Sequence, residues 1–140
     1  MINYERNSDK RKSKTGKGLA TAVPFDTGTY LTLVEAISPA RYYRAWMSDS
    51  LYGVWTPISG ATTWEKSFAG INNVTFEGGV TPWTRDFSHG ELIRDGYDET
   101  MTIDPNHLQL LYKGRDPESN GNYSLLPYRL ALLKLDRSRK

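Results

Sequence analysis

The chain has 140 residues, enough for one domain; 38% are hydrophobic and 12% aromatic. It has no cysteine, which excludes disulfides, thiolate metal sites and Cys nucleophiles. The formal charge is +2, but ten of the 18 basic residues lie at the two ends, and residues 18–133 hold 8 basic against 13 acidic residues. The body is therefore acidic, which argues against nucleic acid as a partner. No apolar run reaches the ~18 residues of a membrane span, and the first residues lack the apolar stretch of a signal peptide, so neither membrane nor leader is expected.

Residues 1–18 read as a disordered basic arm, 19–135 as the folded part and 136–140 as a basic tail. Residues 29–37 (TYLTLVEAI) and 41–47 (RYYRAWM) predict a hairpin across Ser38-Pro39-Ala40. A third short strand is expected over 51–55, closed by Thr56-Pro57. Residues 58–70 read as loop with one helical turn near 64–68. A strand over 71–76 follows, before Gly78-Gly79. Residues 80–98 read as a long Gly- and Asp-rich connection, the kind that carries function. Residues 99–103 and 108–112 predict a hairpin across Asp104-Pro105-Asn106, and 128–135 a last strand. Short strands punctuated by Gly and Pro, with no long helical period, predict an all-β fold: a sandwich, a barrel or part of a β-propeller.

Glu35 falls on the same strand face as Leu31, Leu33 and Ile37. A carboxyl there is either a general acid raised by burial or a carboxylate satisfied by a cation or backbone donor, with Arg44 as candidate. Asp86, His89 and Glu91 offer a loop metal set, against a purely structural histidine. His107 reads as an exposed turn residue. Asp95, Asp98, Glu99 and Asp104 offer calcium ligands or a solvated face; they lack the EF-hand spacing. Trp46, Trp55, Trp64 and Trp83, with Tyr42, Tyr43 and Tyr97, are expected mostly in the core. Tyr123 is the best aromatic for stacking on a sugar, because it ends a polar loop. Asn73-Val74-Thr75 and Asn122-Tyr123-Ser124 are glycosylation sequons.

Seven segments then line up in order: YLTLVEAI from Tyr30, RYYR from Arg41, SLYGVWTP from Ser50, WTRDFSHGELIR from Trp83, DETMTIDP from Asp98, LYKGR from Leu111 and NYSLLPYR from Asn122. Together they resemble the C-terminal part of the glycoside hydrolase family 62 α-L-arabinofuranosidases, over some three-quarters of the chain. The resemblance implies a five-bladed β-propeller, of which this chain would carry two to three blades. It implies hydrolysis of L-arabinofuranosyl side chains from arabinoxylan with inversion, an extracellular setting, and substrate contacts at Tyr123 and Ser124. It also implies that His89 stands near the propeller axis beside a structural metal, calcium. The family's general acid lies some eighteen residues before the Val-Glu-Ala segment, where this chain has Lys17, and the blade bearing the base is missing. Asn106 stands where the family has a Cys. The expectation is a truncated chain, inactive alone because acid and base are missing, with a non-catalytic xylan-binding fragment as the alternative.

Overall fold

The computed structural model describes residues 2–3, 20–25, 28–97 and 99–136. The structure is all-β, as the short apolar runs require, and is built from two antiparallel sheets. The first has the order β1 (Ile2–Asn3), β2 (Ala20–Phe25), β3 (Thr29–Ile37), β4 (Arg41–Ser48), β5 (Thr56–Pro57). The second has the order β6 (Ser88–Leu92), β7 (Gln109–Gly114), β8 (Arg129–Lys134). Within each sheet every strand pairs with the next in sequence, the meander from which propeller blades are made.

The expected basic arm lies outside the described residues except for Ile2 and Asn3, which pair with Thr21 and Ala20. Of the basic tail, only Asp136 is described. The β3–β4 hairpin has the expected bounds to within one residue. Its register sets Leu33 opposite Ala45, Glu35 opposite Tyr43 and Ile37 opposite Arg41. Residues opposite one another share a face. Leu31, Leu33, Tyr43 and Ala45 therefore point together into the core, and Glu35 goes with them. On the other face Arg44 lies over the Trp46 ring at 4.7 Å, and Tyr42 meets the edge of Trp64 at 5.5 Å.

Several expected elements are replaced. Residues 51–55 are a turn, fastened by Ser48 Oγ donating to Ser50 O at 2.7 Å and by Gly53 N donating to Ser50 O at 3.0 Å. Tyr52 and Val54 are exposed, so the apolar run was no guide to burial. The strand is instead the next pair, Thr56–Pro57, against Met47 and Trp46. Residues 58–70 form no helical turn. They run beside β4 and take its outer hydrogen bonds: Ala45 N donates to Ala61 O, and Tyr43 N to Ala69 O, at 2.9 and 2.8 Å. A buried strand edge needs such partners, and this irregular segment supplies them.

The expected strand over 71–76 is a turn organised by Asn73. Its Oδ1 accepts from Gly70 N at 2.9 Å, and its Nδ2 donates to Ser67 O at 2.7 Å. The amide nitrogen of that sequon is thus already committed to the fold. A single 3-10 turn follows at Glu77–Gly79.

The long connection over 80–98 contains β6, and β6 rather than 99–103 is the partner of β7. The apolar character of 99–103 goes to Ile103, which is buried in the core away from any hairpin.

One core joins the two sheets, with Leu31, Leu33, Tyr43 and Ala45 from the first and Leu92, Leu110 and Tyr112 from the second. Phe87 seals the joint. It is fully buried and stacks on Tyr112 with centroids 4.7 Å apart. Its N–H donates to Arg41 O at 3.1 Å. Of the aromatics expected in the core, Tyr42 and Tyr43 are buried, the four tryptophans are only half-buried and Tyr97 is exposed; the most deeply buried aromatics are Phe87 and Tyr112.

Candidate functional site

The joint between the sheets brings β3, the start of β4 and the segment 84–90 to one place. Thr84 begins that segment. It is fully buried; its Oγ1 accepts from Asp86 N and Arg115 N, both at 3.1 Å. A Cβ at Gly114 would come within 2.6 Å of Thr84 Oγ1, so only glycine lets β7 approach this turn. The turn aims the Asp86 carboxylate at two donors: Arg41 N at 3.0 Å and Arg115 Nε at 3.5 Å.

Glu35 is 4% exposed and lies at the centre. Arg41 NH1 donates to its Oε1. Ser88 Oγ lies 3.2 and 3.3 Å from its two oxygens, and His89 N donates to Oε2 at 2.9 Å. Of the two readings of Glu35, the satisfied carboxylate is the one observed. Its cation is Arg41 and not Arg44, for a reason of parity: Arg41 shares Glu35's face of the hairpin, and Arg44 lies opposite Val34 on the other. Burial alone would lower the Arg41 guanidinium, but the Glu35 carboxylate outweighs it and holds Arg41 above its usual value. The Tyr43 phenol is pushed well up by burial and by the Glu35 charge, so it stays protonated.

His89 stands on a β-bulge between Ser88 and Glu91, with φ of 44°. A non-glycine residue rarely adopts that left-handed backbone, which costs of order 1–3 kcal/mol. Glu35 helps hold it by accepting the His89 N–H. Tyr43 helps by offering its hydroxyl oxygen to Gly90 N. A Cβ on Gly90 would come within 2.6 Å of Leu111 O, so the bulge depends on that glycine. The bulge turns the imidazole outward, leaving its side chain 46% exposed.

Ser88 has one hydroxyl proton, and the Glu35 carboxylate can only accept. Ser88 Oγ then accepts from His89 Nδ1, which leaves Nε2 as the bare ring nitrogen. Desolvation lowers the His89 pKa first, and Lys113 and Arg41 lower it further against the raising effect of Glu35. The surroundings therefore favour the neutral ring.

The metal set imagined for Asp86, His89 and Glu91 does not converge: Asp86 is held as above, and Glu91 pairs with Arg94 at 2.7 Å. Asp104 is tied to His107, the exposed turn residue expected, and Asp98 lies outside the described residues. Among the described residues no group of three His, Asp or Glu side chains is arranged to hold a metal. Calcium takes six to eight oxygen ligands, and here a single imidazole nitrogen is on offer. These residues do not fit calcium by themselves.

Tyr123 and Ser124 lie in a 3-10 turn, Tyr123–Leu125, just before β8. Asn122 Oδ1 accepts from Ser124 N at 3.0 Å and fixes the turn. Tyr123 is 58% exposed, and its ring meets Tyr128 edge-on at 6.2 Å. The Tyr123 phenol hydrogen-bonds that of Tyr128, and the Arg41 and Arg115 charges both reach the Tyr128 phenol, so this turn belongs to the same neighbourhood as Arg41. Sequence reasoning singled out Tyr123, Ser124, His89 and Glu35, but it missed Arg41 and Ser88. The face-sharing of Glu35 and Arg41 was available from strand alternation. The Ser88–Glu35 contact spans 53 residues, and no local signal carries it.

Comparison with known proteins gives this arrangement its family. The family model for glycosyl hydrolase family 62 matches residues 7–134. Alpha-L-arabinofuranosidase C of Cellvibrio japonicus is 47% identical over 109 residues, covering 77% of this chain and 17% of that relative. The catalytic domain of the Coprinopsis cinerea GH62 α-L-arabinofuranosidase superposes with a TM-score of 0.76 at 45% identity, over 82% of this chain and 36% of that one. The α-L-arabinofuranosidase of Podospora anserina, solved with cellotriose, gives 0.76 at 42% identity, again over 82% and 36%. A GH62 hydrolase solved with xylotriose gives 0.75 at 42%, over 83% and 36%. The chain thus spans about a third of each solved structure, and its two meanders are part of that propeller-like fold. With sequence and fold in agreement along most of its length, the chain belongs to glycosyl hydrolase family 62.

Proposed function

We propose that this chain recognises L-arabinofuranosyl side chains of arabinoxylan through Tyr123 and Ser124, as part of an inverting α-L-arabinofuranosidase site. The observation that carries this is the Tyr123 turn. A large aromatic is held out to solvent by the Asn122 cap and backed by Tyr128, a stiff platform for the apolar face of a sugar. Inversion needs two carboxyl groups, one to protonate the leaving oxygen and one to activate water. The carboxylates near this rim, Glu35 and Asp86, are both committed to cations and backbone amides. Losing one member of an acid–base pair removes about 10²–10⁴-fold in rate. The chain by itself is therefore expected to bind xylan and not to cleave it. That favours the second reading, a non-catalytic xylan-binding role, for the isolated chain.

A calcium ion near the axis belongs to the same reading. The described residues offer it only His89 Nε2, so its oxygen ligands would come from other blades, and no step is routed through it. A polysaccharide substrate fits an extracellular setting. No helix among the described residues is long and apolar enough to cross a membrane.

The test is retardation of the purified chain in gels containing arabinoxylan, alongside an assay for released L-arabinose. Retardation without release supports the reading. Release by the chain alone would mean that Glu35 or Asp86 is not committed as described. Unchanged mobility would remove the binding role.

A further inference from the structure

We infer that the rim beside Tyr123 carries a carboxylate-recognition subsite, with Lys113 as its principal cation, for uronic-acid branches on the polysaccharide. This rests on the arabinoxylan reading above and narrows its substrate class.

The argument begins with charge. Residues 18–133 hold only 8 basic residues against 13 acidic ones, yet three of the eight, Arg41, Lys113 and Arg115, gather around one patch. Lys113 and Arg41 both act on the His89 imidazole, and Arg115 and Arg41 both act on the Tyr128 phenol. The carboxylates that pair with these cations are Glu35, with Arg41, and Asp86, with Arg115 and the Arg41 amide. Lys113 is the surplus. It makes no ion pair among the described residues.

Position matters as much as charge. Lys113 lies opposite Ser88 in the β6–β7 register, one residue from His89. Its ammonium sits 4.3 Å from the centroid of the Tyr128 ring, the same ring that backs Tyr123. An ammonium over an aromatic face is held without being neutralised. A polysaccharide lying on Tyr123 would pass a fixed, uncompensated cation. Neutral arabinose and xylose can only accept hydrogen bonds from it; a sugar carboxylate also neutralises its charge.

The experiment measures apparent Kd by affinity electrophoresis of the full chain. The probes are a glucuronic-acid-bearing arabinoxylan and the same polymer after reduction of its carboxyls to alcohols. The proteins are wild type, Lys113→Gln and Lys113→Arg. Wild type is expected to bind the acidic polymer about 2–5-fold more tightly than the reduced one, the scale of a single exposed charge pair. Lys113→Gln should bring that ratio to about 1, and Lys113→Arg should restore it. The ratio within each protein cancels any change in overall affinity. Equal binding of both polymers by wild type overturns the inference and leaves the arabinoxylan reading standing. A ratio that survives Lys113→Gln assigns the effect to other cations and also overturns it. If a DNA oligonucleotide loses as much from Lys113→Gln as the acidic polymer does, the patch is an unselective anion site and the inference fails. A chain that ignores both polymers overturns the arabinoxylan reading, and this inference with it.

Discussion

Two regions a few side chains apart obey opposite rules. At Glu35 the carboxylate is buried and committed: it serves Arg41, Ser88 and the His89 amide at once. Around Tyr123 the side chains are exposed, and the polar work is done by backbone and cap. The first region fixes the shape of the second. A buried carboxylate in a hydrolase family invites a catalytic reading, but its donors, not its burial, decide its role. Here they make Glu35 the clamp that joins the sheets and sets the His89 bulge.

This contrast can be broken most severely at the joint. Phe87→Ala empties a fully buried site between both sheets and should cost about 3–5 kcal/mol of unfolding free energy, measured by urea denaturation. Next comes the clamp. Glu35→Ala leaves Arg41, Ser88 and the His89 amide without their acceptor, and about 3 kcal/mol should be lost. Arg41 is 26% exposed and can turn to water, which places the loss at the low end for a buried pair. A loss below about 1 kcal/mol would mean that Glu35 is held less tightly than described. Gly90→Ala forces a Cβ against Leu111 O, and about 1–3 kcal/mol should follow.

At the rim the same measurement should register almost nothing. Tyr123→Ala removes an exposed ring and should stay within about 0.5 kcal/mol of wild type. The smallest effect is one of pH. Asp104 is held below its ordinary carboxylate value, first by the His107 hydrogen bond and then by the Asn106 amide. Its support is present above the unfolded pKa of about 3.9 and is lost as pH falls through the lower folded value. Asp104→Asn should remove that part of the acid dependence, read as a smaller shift in Tm between pH 5 and pH 3.

The legible parts of the sequence were those where local pattern and tertiary role agree. Residues 29–37 and 41–47 alternate correctly, lie next to one another and share a short turn, so the hairpin could be read directly. Residues 51–54 have the same apolar look but are exposed, because the Ser48–Ser50 hydrogen bond turns the chain before they can pair. β6 was hidden for the opposite reason. Its Ser-His-Gly core has poor strand character, and β7, Glu35 and Tyr43 impose the strand and its bulge from outside. Tyr123 was legible because its loop is polar and its ring has nothing local to bury against. Arg41 was not picked, although strand parity favoured it over Arg44. Ser88 could not be found locally, since its partner is 53 residues away.

The most direct test compares wild type with Tyr123→Ala in two readouts on the same samples: retardation by arabinoxylan and thermal unfolding. The separation of rim from clamp predicts that Tyr123→Ala loses retardation while its Tm stays within a few degrees of wild type. Retained retardation, or a Tm that collapses together with binding, would contradict it.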